Sequence, residues 1–332
     1  MTMSVSNKIA TSPPVTGLDR VMWVSLRTTQ QETISQQVLH SAALSMAIRR
    51  AREFFILAKP EITLMVMISA GVSCLMASDS INLIVLTHTV LGTGLVAAGA
   101  ASLNQFMERA LDGNMRRTSG RPLPAGKLTA QAALAFGISL SAGGTIYLIH
   151  FLNALTALLG LLTLFSYLFV YTPLKRKTRL CTLVGAIPGA APVLMGWAAA
   201  RNNLGLEAWA LFAILFLWQF PHFYAIGWLY REDYARAGML MLPAVDDEDG
   251  RTTFRAILIS TQLLIVASLV LTVIAPIGPL YFLLAIILDI SFYYIAYRAS
   301  FSRTKLAAKQ LLHASVIYLP LLYLAMLIDK IK

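Results

Sequence analysis

Charge is what this sequence has least of. Only 13% of its 332 residues are Asp, Glu, Lys or Arg, about half the share usual in soluble globular chains, while 57% are hydrophobic and the mean hydropathy is +0.68. A chain so poor in charge cannot cover a water-facing surface, which excludes the soluble classes and leaves a polytopic membrane protein. Acids are scarcer than bases, 16 against 27, giving a net charge of +11. That excess is confined to loops between apolar runs, where the positive-inside rule and anionic inner leaflets place it, so nucleic acid is discarded as a partner. Cysteine is nearly absent. Cys74 and Cys181 each sit inside an apolar run without a second thiol or His at a metal-ligand spacing, which excludes a disulfide framework and a zinc site.

A secretory signal is also missing. Residues 1–48 are rich in Ser, Thr and Gln, with no run long enough to cross a bilayer, and read as a disordered extension ahead of a membrane domain at 49–332. Met46 opens a basic stretch, MAIRRAREFF, and is an alternative start that mass spectrometry of the mature N-terminus would settle. An organelle transit peptide is the second reading of the extension, since acids are few there, although bases are few as well.

What is abundant is apolar sequence in runs of spanning length. At about 20 residues per crossing, the charge-free runs predict nine spans in an all-α integral membrane fold. They are Ile62 to Ser78, Ser80 to Met107, two within Leu128 to Leu174 broken near His150 to Asn153, Leu180 to Ala200, Ala208 to Tyr230, two within Ala256 to Leu288 and its continuation past Asp289 to Tyr297, broken at Pro276 to Pro279, and Gln310 to Ile328. Lys and Arg crowd the loops after the even-numbered spans, while the opposite loops carry only Arg201; Lys330 and Lys332 dissent. The bias places the N-terminus and the even loops in the cytoplasm, in a cell inner membrane. Gly185 and Gly189 form a G-x-x-x-G step that, with Gly196, suits close helix packing. Pro188, Pro192 and Pro221 lie in mid-span, where irregular helices tend to line a cavity.

At the end of the second span Asn104, Glu108 and Asp112 recur at i, i+4 and i+8, so on a helix they line one face, each roughly 6 Å beyond the last. Arg116, Arg117 and Arg121 follow. Hard oxygen ligands beside guanidinium groups suit a Mg2+ ion carrying a diphosphate, because Mg2+ prefers one or two carboxylates plus substrate phosphates and Arg binds phosphate bidentately. A helix end with solvated charges is the plainer alternative. The end of the sixth span repeats the theme with Arg231, Glu232, Asp233 and Arg236, an echo four spans later that suggests a pseudo-repeat. Trp218, Phe220, Phe223, Tyr224, Trp228, Tyr230 and Tyr234 would form an aromatic wall able to stabilise a carbocation or stack on a flat substrate. Asp246, Asp247, Glu248 and Asp249 read as a solvated loop.

Taken together, Asn104-x3-Glu108-x3-Asp112 with Arg117, Arg121 and Pro122, the run Tyr171 to Arg176, Gly185-x3-Gly189-Ala190-x-Pro192-x3-Gly196, Trp218-Gln219-x-Pro221-His222, Asp233-Tyr234 and Leu242-Pro243 resemble the protohaem IX farnesyltransferase branch of the UbiA intramembrane prenyltransferases over residues 54 to 328. The resemblance implies a nine-helix bundle with a central cavity, and Mg2+-dependent transfer of farnesyl from farnesyl diphosphate to a vinyl group of haem b, giving haem O. It implies Asn104, Glu108 and Asp112 as catalytic and metal-binding residues with Asp233 as a further metal ligand. Diphosphate or haem binding would fall to Arg116, Arg117, Arg121, Lys175, Arg176, Trp218, Tyr230 and Asp233. Haem A synthase or terminal oxidase assembly factors are the partners implied. Glu108 departs from the usual Asp, and Glu232-Asp233 is a reduced second acidic motif.

His222 lies in an otherwise charge-free span, and a lone His there is most often a core residue bonded to a neighbouring helix. Asp233 at i+11 would return to the same face, which makes His222 a candidate axial ligand of haem iron or the base for the capturing water. A prenyltransferase acting on an aromatic acid or quinone precursor, and a transporter or haem-binding assembly protein without catalysis, remain as alternatives. Diphosphate release separates the last from the enzymes.

Overall fold

In hydrocarbon every backbone N–H and C=O must find its partner within the segment, so the apolar runs become helices. The computed structural model describes Met22, Gln37, residues 40–247 and residues 249–330. The chain divides into Met1–Arg52 and Glu53–Lys332. In the first unit residues 40–52 are helical and exposed; the rest of the expected 1–48 extension lies outside the described residues but for Met22 and Gln37.

The second unit contains α1 Pro60–Ala77, α2 Leu83–Asp112, α3 Ala130–Phe151, α4 Ala154–Phe165, α5 Cys181–Arg201, α6 Leu206–Leu229, the short α7 Arg231–Arg236 and α8 Leu242–Val245, then α9 Arg251–Ile274, α10 Pro279–Ser302 and α11 Lys305–Lys330. Beyond α4 the chain stays coiled through a π-helical turn, Ser166–Tyr171, to Leu174. With α4 extended by this continuation to Leu174, all but α7 and α8 are long and apolar enough to cross a membrane, which makes nine spans among the described residues. Several overrun the charge-free runs by a turn, because backbone hydrogen bonding does not stop where hydrophobicity does. Their starts follow local chemistry: Asn82, Thr129 and Asn153 accept hydrogen bonds from first-turn amides of α2, α3 and α4, and Pro60 and Pro279 occupy first-turn positions.

Small residues set how closely the spans approach. A side chain at Gly99 would meet the backbone of Ser141 on α3, and one at Gly196 would meet the Ala70 carbonyl on α1. At Gly189 it would meet only the Gln219 side-chain amide on α6. The G-x-x-x-G face of α5 is therefore a packing face, and Gly189 on it also borders a cavity. Helix α5 adjoins α1, α4 and α6, and α6 in turn packs on α9 and α11. Asp289, inside α10, is buried and accepts hydrogen bonds from Ser268 on α9 at 2.5 Å and Tyr318 on α11 at 2.6 Å. Cys74 and Cys181 are buried free thiols, as expected.

Lys330 owes its place to a helix end rather than to topology. Its ammonium donates to the carbonyls of Leu75, Met76 and Ser78 at the C-terminus of α1, where the dipole favours a cation, and Arg201 donates to Ala77 O beside it. Lys332 and Glu248 lie outside the described residues.

Candidate active site

Helix α2 presents Asn104, Glu108 and Asp112 inward, and all three are buried, at 1%, 4% and 1% exposure. Each meets a cation from a different element. Lys59, at the N-cap of α1, donates to Asn104 Oδ1 at 3.3 Å; Lys175, after α4, holds Glu108 Oε1 at 2.8 Å; Arg121, from the loop after α2, reaches both Asp112 oxygens at 2.7 Å. Asn104 Nδ2 donates to Thr172 Oγ1 at 3.1 Å, and Tyr167 OH donates to Asn104 Oδ1 at 3.4 Å. A buried carboxylate without a partner would carry a large desolvation cost, so the basic groups make a buried acidic face tenable.

Burial and the neighbouring Arg121 and Lys175 push the Lys59 ammonium down to about 7. Burial also works against the charge of Lys175, but Tyr171 and Glu108 beside it reverse the sign and hold its pKa above the ordinary lysine value. The two lysines thus face the chamber under opposite influences.

The ladder, Lys59, Arg117, Arg121, Tyr167, Tyr171 and Lys175 line one chamber, closed on the far side by Phe223, Ile226, Tyr234, Met239 and Met241. Leu240 N donates to Lys175 O at 2.7 Å, which fastens this wall to the loop after α4. Lys59, Ile62 and Tyr167 also line a second, apolar cleft that continues from the chamber between α1, α2, α4 and α5 past Val66, Ala100, Pro188 and Pro192. The mid-span prolines of α5 do line a cavity. Pro221 is buried outside both.

The other expected site residues are distributed as follows. Arg117 lines the chamber, with Nη2 donating to Tyr234 OH at 3.1 Å and its guanidinium 5.2 Å from the Tyr230 ring centroid. Arg116, Tyr230 and Asp233 line an open cleft on the outer side of Arg117, where Asp233 binds Arg236 at 3.1 Å and accepts from Arg117 N at 3.4 Å. Arg176 is exposed and lines neither cavity.

Trp218 and His222 turn away from the chamber. The two rings stack at 4.7 Å, Trp218 Nε1 donates to Ser315 O at 2.9 Å, and His222 Nδ1 lies 2.8 Å from Ser315 Oγ on α11. Because Ser315 Oγ spends its own proton on Leu312 O at 2.7 Å, Nδ1 is the donor and the Nε2 lone pair is free. The i+11 extrapolation from His222 to Asp233 fails because Tyr230, at φ −113° and ψ 23°, breaks the helix between them. The expected aromatic wall is likewise redistributed. Trp218, Phe220, Tyr224 and Trp228 join the core, leaving Phe223 and Tyr234 in the chamber, with Tyr167 and Tyr171 from the π-helical turn after α4 opposite. At 100° per residue, rings that close in sequence cannot share one face.

Lys59, Tyr167 and Tyr171 are the residues that sequence reasoning left out of the site. The signal for Lys59 was the Lys-Pro step opening α1, and for Tyr171 its place in the motif running to Arg176. Nothing in the sequence marks the π-helical turn that aims the tyrosines.

Known proteins supply the remaining evidence. Residues 64–319 match the model of the UbiA prenyltransferase family. The chain is 49% identical to a protoheme IX farnesyltransferase of Solibacter usitatus, covering 84% of this chain and 99% of the relative, and 42% identical to one of Koribacter versatilis, covering 84% and 93%. Among solved structures, the fold resembles a digeranylgeranylglyceryl phosphate synthase, with a TM-score of 0.71, 18% identity and 85% and 99% of the two chains covered. It also resembles a UbiA homolog of Archaeoglobus fulgidus bound to DMAPP and Mg2+, with a TM-score of 0.61, 13% identity and 82% and 99% covered. With its ladder motif and nine spans, the chain belongs to the UbiA prenyltransferase family, in its protohaem IX farnesyltransferase branch.

Proposed function

We propose that this protein transfers farnesyl from farnesyl diphosphate to a vinyl group of haem b, producing haem O and diphosphate. The observation that carries the reading is the junction at Lys59, Ile62 and Tyr167, where a buried face of oxygen ligands and cations opens directly into an apolar cleft. A diphosphate ester with a long hydrocarbon tail has this same division. Its head belongs with Arg121, Lys175 and Lys59, and its tail in the cleft walled by α1, α2, α4 and α5.

The donors suit Mg2+ in chemistry. Among the described residues no three His, Cys, Asp or Glu side chains cluster as a complete metal site, so Asn104, Glu108 and Asp112 would hold an ion that brings diphosphate oxygens as its other ligands. Such an ion supplies charge neutralisation on the leaving group. The UbiA homolog bound to DMAPP and Mg2+ supports this assignment.

In the reaction the allylic C–O bond breaks and its electron pair leaves with diphosphate, stabilised by Arg121, Lys175 and Lys59. Tyr167, Tyr171 and Phe223 border the space in which the allylic cation forms, excluding water and offering ring faces. The terminal vinyl carbon supplies the pair for the new C–C bond. Water captures the cation left on the porphyrin side and loses a proton, giving the hydroxyethylfarnesyl group. Membranes carrying the protein, given haem b and farnesyl diphosphate, should form haem O with one diphosphate released per product. Haem uptake without diphosphate release would point to a transporter or assembly protein instead.

The basic loops lie at the ladder end, which supports a cytoplasmic active site in the inner membrane; haem A synthase or oxidase assembly would then use the product on that membrane. Reporter fusions that put the loop after α2 and the Arg201 loop on one side would refute the orientation. Arg121→Lys keeps the positive count but loses the planar guanidinium, whose Nη1 meets both Asp112 oxygens and whose other N–H groups would serve the diphosphate, so turnover should fall about tenfold or more with orientation unchanged. Full activity of the Lys variant would reduce Arg121 to a topological signal.

His222 lies outside the chamber, with Nδ1 on Ser315 and its ring stacked on Trp218, so its part is α6–α11 packing rather than ligation of the haem iron. His222→Ala should melt earlier while its haem spectrum stays that of wild type. Loss of haem affinity in the Ala variant, restored by His222→Met, would make the ring an iron ligand instead.

A further inference from the structure

At the outer mouth of the chamber, Arg116, Arg117, Leu229, Tyr230, Glu232 and Asp233 line an open cleft that shares Arg117 with the chamber itself. Its acids are already matched: Glu232 binds Lys305 at 2.9 Å, and Asp233 binds Arg236 at 3.1 Å. Its arginines are not. Among the described residues Arg116 and Arg117 have no ion-pair partner, Arg117 being held only by Tyr234 OH and the tyrosine rings, whereas Arg121 and Lys175 are paired with ladder carboxylates and Lys59 donates to Asn104. From this mouth Tyr230, at the C-cap of α6, is followed inward by Ile226 and Phe223, one turn apart on α6, with Phe223 and Tyr230 each 39% exposed.

Resting on the reading of haem b as acceptor, we infer that Arg116 and Arg117 bind the two propionate groups of the porphyrin while its apolar face lies against the Phe223–Ile226–Tyr230 strip. The acceptor is flat and apolar, with two carboxylates on one edge and its vinyl groups on another. Burying those carboxylates in the cleft between α1, α2, α4 and α5 would remove them from water with only Lys59 to meet them. At the mouth they meet two guanidinium groups that have no carboxylate partner, each able to hold one. This orientation turns the acid edge to water and the vinyl edge toward the ladder. Arginine use is thereby divided: Arg121 serves the diphosphate, Arg116 the acceptor, and Arg117, lining both cavities, stands between.

The test compares protohaem with its dimethyl ester, using the purified full chain in detergent. Wild-type protein should bind the diester about tenfold more weakly than the diacid in a Soret-band titration, the loss expected for a charge-assisted pair. Arg116→Gln should keep about threefold of that preference, since one of the two pairs remains, while its KM for farnesyl diphosphate stays that of wild type, which also shows that the variant is folded. Arg116→Lys should recover part of the loss, and Arg117→Gln should keep a similar remainder while also raising the KM for farnesyl diphosphate. A wild-type protein that farnesylates protohaem while Arg116→Gln keeps the full preference would overturn the propionate assignment alone. A wild-type protein that cleaves farnesyl diphosphate but never alkylates protohaem would overturn the acceptor reading, and this inference with it.

Discussion

Asp112→Asn should reduce farnesyl transfer by about 100- to 1000-fold, the scale for removing one preorganised electrostatic contact, while leaving the protein inserted and folded. Asp112 is 1% exposed, and both its oxygens are engaged by one Arg121 nitrogen at 2.7 Å. The amide keeps the shape and one acceptor oxygen. What it loses is the negative charge that a divalent ion needs and that Arg121 answers. Glu108→Gln and Asn104→Ala should show losses of the same order, since each ladder residue meets its own cation and none duplicates another. Turnover is to be measured at saturating Mg2+ and farnesyl diphosphate, with the fraction inserted taken from the same membranes. Wild-type turnover in Asp112→Asn under those conditions would remove the metal assignment from α2.

Gly196→Leu should have the largest effect on folding. A Cβ at position 196 would meet the backbone carbonyl of Ala70 on α1, and a carbonyl inside a helix cannot move aside as a side chain can. Overpacking of this kind costs about 1–3 kcal/mol, and more when backbone must shift. The consequence reaches the site, because α1 carries Lys59 at its N-cap and α5 carries the prolines of the apolar cleft. Folded yield and detergent melting temperature should both fall. Gly189→Ala provides a graded comparison, since it displaces only the Gln219 amide, and Gly143→Ala a neutral one, because nothing lies within 4 Å of its added carbon. Equal melting of Gly196→Leu and Gly143→Ala would show that α1 and α5 do not approach as described.

Both variants alter positions that were legible in sequence, although for different reasons. The ladder spacing is a property of one helix: 1.5 Å and 100° per residue put Asn104, Glu108 and Asp112 on one face whatever surrounds them. The glycine step of α5 signals close approach equally well, but not whether the neighbour is a helix or a ligand. Only the packed bundle answers that with Tyr171, Gln219 and the Ala70 carbonyl.

Sequence by itself determined the features that depend on local physics. The nine spans follow from hydropathy, because water-free surroundings leave the backbone little choice but helix. The family branch follows from motifs carried within single helices and the turns after them. Tertiary structure alone decided which groups meet. Lys59 lies 45 residues from Asn104, and Lys175 lies 67 from Glu108; Ser315, which turns His222 toward α11, is 93 away. Pairings at such separations depend on helix rotation, on the break at Tyr230 and on the π-helical turn after α4. Each is set by packing between helices, which leaves no trace in periodicity along any one of them.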